Sequence, residues 1–256
     1  MNNRTRYIVV SLLAAVLVVS NQAQAAPPVI TSINKIDQTL EGKWVNVKGT
    51  VEEASGFSKG FKFVVRDETG TVSLTYFDSA YDGLSKDIQA KLNVGATVQV
   101  NGRVSAYNGK FDLIMNKPRD TIIISPTQRS VLVRDLGGLN RGDHGAIVHV
   151  KGEFHSQQSF EGGTDWVIFD STGAQKVRLY ESVLKRIAQR DLIKSGSGNT
   201  SKIFVDVVGR VRVTKKDGTR IDVSLPIDVV ITSGQQSTAS NQPVTVSTPS
   251  DSGRGH

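Results

Sequence analysis

The 256-residue chain contains no cysteine. That excludes disulfides, thiolate metal sites, cysteine nucleophiles and a lipidated N-terminal cysteine. Four histidines, one of them the last residue, leave little for a His-rich metal centre. Aromatic residues make up only 6% of the chain, whereas glycine occurs 24 times. That balance suits a β-rich chain with many turns. Beyond the first 25 residues no segment is apolar enough to cross a bilayer.

Residues 1–25 have the three-part pattern of a secretory signal. Arg4 and Arg6 are its basic region, and Tyr7 to Val19 is apolar except for Ser11. Ala23 and Ala25 set small residues at a cleavage site before Ala26. The alternative is an uncleaved anchor, but 13 apolar residues span only about 20 Å as a helix, against a hydrocarbon core of roughly 30 Å. The expectation is export to the periplasm or beyond, with a mature chain starting at Ala26.

Charge lies mostly in the second half. Residues 26–125 hold 12 basic and 11 acidic residues, and residues 126–234 hold 16 and 12. The excess permits a polyanionic partner without demanding one. The chain also repeats itself. Val45-Asn46-Val47-Lys48-Gly49 meets Val148-His149-Val150-Lys151-Gly152, and Asp67-Glu68-Thr69-Gly70 meets Asp170-Ser171-Thr172-Gly173, both at an offset of 103. Val100-Asn101-Gly102-Arg103-Val104 meets Val207-Val208-Gly209-Arg210-Val211 at 107, and the run at Thr121 meets that at Asp228 at the same offset. The division is a signal (1–25), a first domain (26–125), a second (126–234) and a disordered tail rich in Ser, Thr, Gln, Pro and Gly (235–256).

Within the first copy, Val45, Val47 and Val51 alternate inward around Gly49, a glycine that marks a bend in the strand. Phe61, Phe63 and Val65 form a second alternating run, and Val72, Leu74 and Tyr76 a third. Leu84, Ile88 and Leu92 trace one helical face over 80–93. Strands follow at 97–106 and 110–115 across Tyr107-Asn108-Gly109, a hairpin signal, with a closing β-run at 121–125. In the second copy a helix is expected over about 181–194, through Val183, Leu184, Ile187 and Leu192. The fold class is therefore all-β dominated: two tandem five-stranded Greek-key barrels, each with one helix between strands 3 and 4.

Three stretches carry a family resemblance: Gly-Lys-Trp-Val-Asn-Val-Lys-Gly-Thr-Val from Gly42, Phe-Val-Val-Arg-Asp-Glu-Thr-Gly from Phe63, and Val-Gln-Val-Asn-Gly-Arg-Val from Val98. They resemble the OB-fold nucleic-acid-binding family of the anticodon-binding-like type. The resemblance covers nearly all of the first copy and is weaker over the second, where Gly152, Asp170, Gly173 and Gly209 recur. It implies a ligand lying across strands 2 and 3, between the loops joining strands 1–2 and 4–5. Family members bind single-stranded nucleic acid, oligosaccharide or protein on that face.

Single-strand binders need aromatic plates for bases and cations for phosphates. On the outward phase of the first copy these are Lys62, Arg66, Phe77, Tyr107 and Lys110, with Phe57 and Lys59 in the strand 1–2 loop. On the second they are Lys176, Arg178, Tyr180, Lys215 and Lys216, with Phe160, Arg210 and Arg212 close by. The alternative is that the rings cover barrel ends and the cations are solvated. Trp44 and Trp166 sit in strand patterns and are read as core or barrel-end packing. His144, His149 and His155 lack metal spacing, and no serine lies in a nucleophile elbow. The expectation is a non-enzymatic binder of single-stranded DNA or RNA without metal or cofactor. An envelope scaffold for a protein or polysaccharide partner, using the same faces, is the alternative.

Overall fold

The structure, a computed structural model, describes residues 29–107, 109–117, 120–126, 130–195, 202–215 and 218–234. The expected signal (1–25) and the expected disordered tail (235–256) lie outside the described residues. The first half contains β1 (Trp44–Phe57), β2 (Gly60–Arg66), β3 (Thr71–Phe77), α1 (Asp78–Asp82), α2 (Lys86–Lys91), β4 (Thr97–Tyr107), β5 (Lys110–Met115) and β6 (Thr121–Ser125). The second contains β7 (Leu132–Val133), β8 (Ile147–Phe160), β9 (Gly163–Phe169), β10 (Ala174–Tyr180), α3 (Glu181–Leu184), α4 (Asp191–Ser195), β11 (Ile203–Thr214), β12 (Gly218–Val223) and β13 (Val229–Ser233).

The first sheet runs β1-β2-β3-β5-β4-β6 and closes through a β1–β4 pairing. The second runs β13-β11-β12-β10-β9-β8-β7 and closes through β11–β8. Both sheets therefore contain more strands than five, for one shared reason. β5 pairs with β4 over Arg103–Tyr107, and β6 pairs with the same strand over Thr97–Val100. The two are halves of one interrupted barrel strand. In the second sheet β12 and β13 divide β11 in the same way. The closed circuit is thus the expected five-membered one, and β7 is a short addition outside it.

Alternation explains the core. Val45, Val47, Val51, Phe61, Phe63, Val65, Val72, Leu74 and Tyr76 are buried, as are Val148, Val150, Trp166, Ile168, Val177 and Leu179 in the second barrel. The glycine bend is steric. A Cβ on Gly49 would stand 2.4 Å from the Arg66 carbonyl oxygen, and one on Gly152 would stand 2.9 Å from that of Phe169. Three residues farther on, each strand slips register against its neighbour, between Val51 and Glu53 and between Phe154 and Ser156. A bulge at a bend lets one long strand serve both sides of a barrel.

The repeat is detailed. Asp67 Oδ2 accepts the Ile33 N–H at 2.9 Å, and Asp170 Oδ2 accepts the Leu136 N–H at 2.8 Å. The other oxygen of each aspartate accepts from the Thr and Gly of its own turn. Each Asp-x-Thr-Gly turn therefore pins the short helical turn that precedes its barrel. The offset rises to 107 at β4 and β11 and to 108 at β5 and β12. The extra residue lies in the turn after β11, where Thr214 pairs Gly218 while Tyr107 pairs Lys110. Thr121 therefore corresponds to Val229 and not to Asp228.

Two expectations are corrected. The helix over 80–93 is two short helices, because Gly83 caps α1 and the Ser85 side chain caps α2. The helix over 181–194 is likewise broken, with Gln189 at φ 61 between α3 and α4. Trp44, read as packing, is 45% exposed. With Val45 and Val47 inward, the pleat sends Trp44 outward.

α3 and the residue pair after it join the barrels. Arg186 bonds both oxygens of Asp82, at 2.5 and 2.7 Å, and reaches Asp78 at 2.9 Å. Its guanidinium lies 5.4 Å from the Phe61 ring centre and 5.6 Å from that of Tyr81. Lys185 also pairs with Asp78, at 2.5 Å. Gly56 lies so close to Val183 and Ser182 that a Cβ there would stand 2.8 Å from the valine.

Candidate nucleic-acid interface

The outer face of the first barrel follows from cross-strand register. Lys62 lies beside Thr75, and Thr75 beside Ile114, which faces Arg103. The next row is Val64, Ser73, Asp112 and Ser105. Phe77 ends β3 next to Gly60 and the β1–β2 turn, while Tyr107 and Lys110 face each other at the β4–β5 turn. The two aromatics mark opposite ends of the face, about 20 Å apart at roughly 3.3 Å per strand residue.

Both plates are accessible. Phe77 is 45% exposed and Tyr107 77%. Phe57 and Phe77 meet nearly at right angles, with ring centres 6.2 Å apart. The cations differ from one another. Lys110 is exposed. Lys62 is held at 2.8 Å by Asp112, a carboxylate that sequence reasoning did not pair with it. Arg66 pairs with Glu52 and borders an open groove of about 610 Å³, lined also by Lys48, Thr50, Asp67, Glu68 and Thr97. It lies at the margin of the face and not at its centre.

The second barrel uses the same positions otherwise. Arg178 forks both oxygens of Asp165 at 2.7 and 2.8 Å, and its guanidinium stands 4.5 Å from the Phe160 ring centre. Tyr180 packs nearly perpendicular to Phe160, with ring centres 5.8 Å apart, and is half-buried at the junction with Gly56. Lys176 lies 3.8 Å from Asp165. Lys215 is exposed at the β11–β12 turn; Lys216 lies outside the described residues. Arg220, which sequence reasoning passed over, bonds Asp222 at 2.7 Å. Alternation in β12, with Ile221 and Val223 inward, was the signal that could have found it.

The histidines have structural contacts. His144 Nδ1 accepts the Val213 N–H at 3.1 Å, His149 pairs with Asp206, and His155 lies edge-on to Phe169. Among the described residues, no cluster of His, Asp or Glu could hold a metal ion, and no helix is long and apolar enough to cross a membrane. Asp67 and Asp170 share one electrostatic state. Burial works against their charge, but hydrogen bonds from the turn threonine and from three backbone N–H groups outweigh it and hold both carboxyls below the ordinary value.

A closed five-membered circuit with a parallel β3–β5 pairing, and helix between the third and fourth strands, defines the OB architecture. Residues 39–121 match the family described as OB-fold nucleic acid binding domain. Similar solved structures include the OB domain of MM0293 from Methanosarcina mazei, at 24% identity over 40% of this chain and 90% of that one, with a TM-score of 0.31. Asparaginyl-tRNA synthetase from Pyrococcus horikoshii is 21% identical over 39% of this chain and 24% of that one, with a TM-score of 0.34. A replication protein A heterotrimer bound to single-stranded DNA is 12% identical over 82% of this chain and 52% of that one, with a TM-score of 0.38. The chain thus spans about a quarter of the synthetase and about half of the replication protein chain. No curated protein matches it.

Proposed function

We propose that this chain is an exported, non-enzymatic protein that holds single-stranded DNA or RNA by stacking bases on Phe77 and Tyr107. Lys62 and Lys110 meet phosphates beside them, and no cofactor takes part. The observation that carries the reading is a coincidence of place. The stretch that matches a nucleic-acid-binding family contains both exposed rings, one at each end of a single sheet face. Exposing a phenylalanine to water costs roughly 1.5–3 kcal/mol relative to burying it, which a stacked base would recover. The basic, apolar and small-residue pattern of residues 4–25 supports export.

The test is binding of the mature chain to single-stranded DNA, single-stranded RNA and cell-wall polysaccharide across a salt series. Phosphate contacts release counterions, so affinity for the nucleic acids should fall steeply with salt. Stacking is worth about 1–3 kcal/mol per base, so Phe77→Ala and Tyr107→Ala should each weaken binding roughly 5- to 150-fold. Salt-insensitive binding of polysaccharide alone, unchanged in the double variant, would transfer the function to an envelope scaffold. N-terminal sequencing of protein from the cell envelope tests export, with Ala26 as the expected first residue.

A further inference from the structure

We propose that the outer flank of the first barrel, where β1 runs beside β4, reads one purine base of the bound strand. Trp44 is its stacking plate, and Asn46, Asn101 and Arg103 meet the base edge. The proposal rests on the single-strand reading above and adds a choice of base to it.

Register builds the site. Trp44 pairs Arg103 across the two strands, and Asn46 pairs Asn101. All four lie on the outward phase, because Val45, Val47, Val100 and Val104 are buried. Partners across a ladder stand about 5 Å apart, and alternate residues along a strand about 7 Å, so the four form a compact rectangle. Trp44 is 45% exposed; Arg103 is exposed and both amides are half-buried. Arg103 donates through Nε to the Gly42 carbonyl at 3.0 Å, which holds the guanidinium in place. Among the described residues no carboxylate pairs with it, and neither amide has a side-chain hydrogen bond within the protein. The outward positions of β1 from Trp44 to Thr50, and of β4 from Thr97 to Arg103, hold Lys48 and Arg103 and no acid. That balance suits a polyanion.

The same four positions of the second barrel are Ile147, Arg210, His149 and Val208. Only the arginine recurs, and it too donates to a glycine carbonyl, that of Gly145, at 2.8 Å. The arginine is thus a shared brace for the loop before the strand, whereas the indole and the two amides belong to the first barrel alone. On the second flank His149 is engaged by Asp206, which also pairs with Lys151 at 2.9 Å.

The residue types select the ligand. Unpaired bases stack on aromatic side chains and offer their edges to hydrogen bonds. Asparagine pairs two-pronged with adenine N6 and N7, and arginine with guanine O6 and N7. Both pairings use N7, an acceptor that pyrimidines lack. The two central rows of the Phe77–Tyr107 face, by contrast, carry no amide side chain. Arg103 precedes Tyr107 on β4 by about 13 Å of strand, so a chain stacked on Tyr107 can continue onto the flank.

The test uses the mature chain and oligonucleotides long enough to run from Phe77 past Trp44: a thymidine homopolymer, and the same oligomer carrying one central adenine or guanine. Each variant is checked for an unchanged melting curve, and the readout is the ratio of purine-bearing to plain affinity. A two-pronged base contact corresponds to roughly 5- to 150-fold discrimination, and the native ratio should fall in that range. Trp44→Ala and Asn46→Ala/Asn101→Ala should each bring the ratio toward one, and Trp44→Phe should keep part of it. A native ratio of one, or a preference that survives both alanine variants, overturns the proposal; the single-strand reading stands if Phe77→Ala/Tyr107→Ala still weakens binding of the thymidine oligomer. If Trp44→Ala lowers binding of cell-wall polysaccharide alone, the flank takes a sugar and the proposal is wrong. If no oligomer binds at low salt, the single-strand reading itself fails, and this proposal with it.

Discussion

The two barrels are copies in backbone and opposites in surface. Their barrel strands, bent glycines, bulges and Asp-x-Thr-Gly turns correspond position for position. At two neighbouring outward positions, however, Lys62 of the first stands where the second has Asp165, and Thr75 stands where it has Arg178. Tyr76 and Thr121 share a buried hydroxyl bond of 2.6 Å in the first barrel, at positions that are Leu179 and Val229 in the second. The difference separates two kinds of constraint. Positions that bend the chain or tie a turn are kept in both copies. Positions on the outward face, or that only fill volume, have diverged. Shared backbone geometry therefore does not imply a shared ligand chemistry.

The largest expected effect tests the kept positions. Gly49→Ala drives a Cβ to 2.4 Å from the Arg66 carbonyl oxygen, whereas Gly152→Ala meets the Leu136 side chain at 2.8 Å and the Phe169 carbonyl oxygen at 2.9 Å. Overpacking typically costs about 1–3 kcal/mol, so Gly49→Ala should lie at the top of that range or above it, and Gly152→Ala lower within it. Chemical denaturation of the two variants measures both. Equal losses would mean that the first barrel yields at this bend as easily as the second.

A smaller effect concerns the joint. Arg186→Ala removes a two-pronged bond to Asp82 and a pair with Asp78. Hydrogen bonds to charged groups contribute about 1.5–3 kcal/mol, so the barrels should uncouple. Calorimetry should resolve two transitions where the parent shows one, or widen the gap between two. Acid should act in the same direction, because the Arg186 hydrogen bond holds Asp82 below its ordinary pKa.

The smallest effect is shared by both copies. Asp67 and Asp170 titrate below their unfolded values. Each contributes stability that is present above the unfolded carboxylate pKa, near 4, and is lost as pH falls through the folded value. Melting temperature should therefore drop below about pH 4. Asp67→Ala and Asp170→Ala should each flatten that drop, and by similar amounts. A loss confined to one variant would show that the twin turns are not equivalent.

Period-2 alternation made the barrel strands legible, because burial on one face leaves a mark on every second residue. Gly49 and Gly152 were legible because only a glycine fits where two strand backbones approach so closely. The helices were misread because periodicity cannot register a left-handed Gln189 or a serine cap that starts a second helix within one apolar face. The accessible aromatics followed from the pleat. Their ionic neighbours did not, since Asp112 comes beside Lys62 only through the parallel β3–β5 pairing, 50 residues away in sequence. Arg186 was out of reach for the same reason, as its partners belong to the other copy.

The short lead-in to each barrel has one more consequence. In its first half β1 pairs with β4 on one side; on the other, Ile30 bridges Asn46, and the Thr31 N–H donates to the Asn46 carbonyl at 2.7 Å. β7 covers β8 at Val148 and His149 in the same parallel sense. Without these strips each barrel would present a row of unpaired amides and carbonyls, a ready template for another strand. The lead-ins thus act as selvedges: they finish the cloth where it would otherwise fray into its neighbour, and they let two all-β units sit on one chain without recruiting each other's edges.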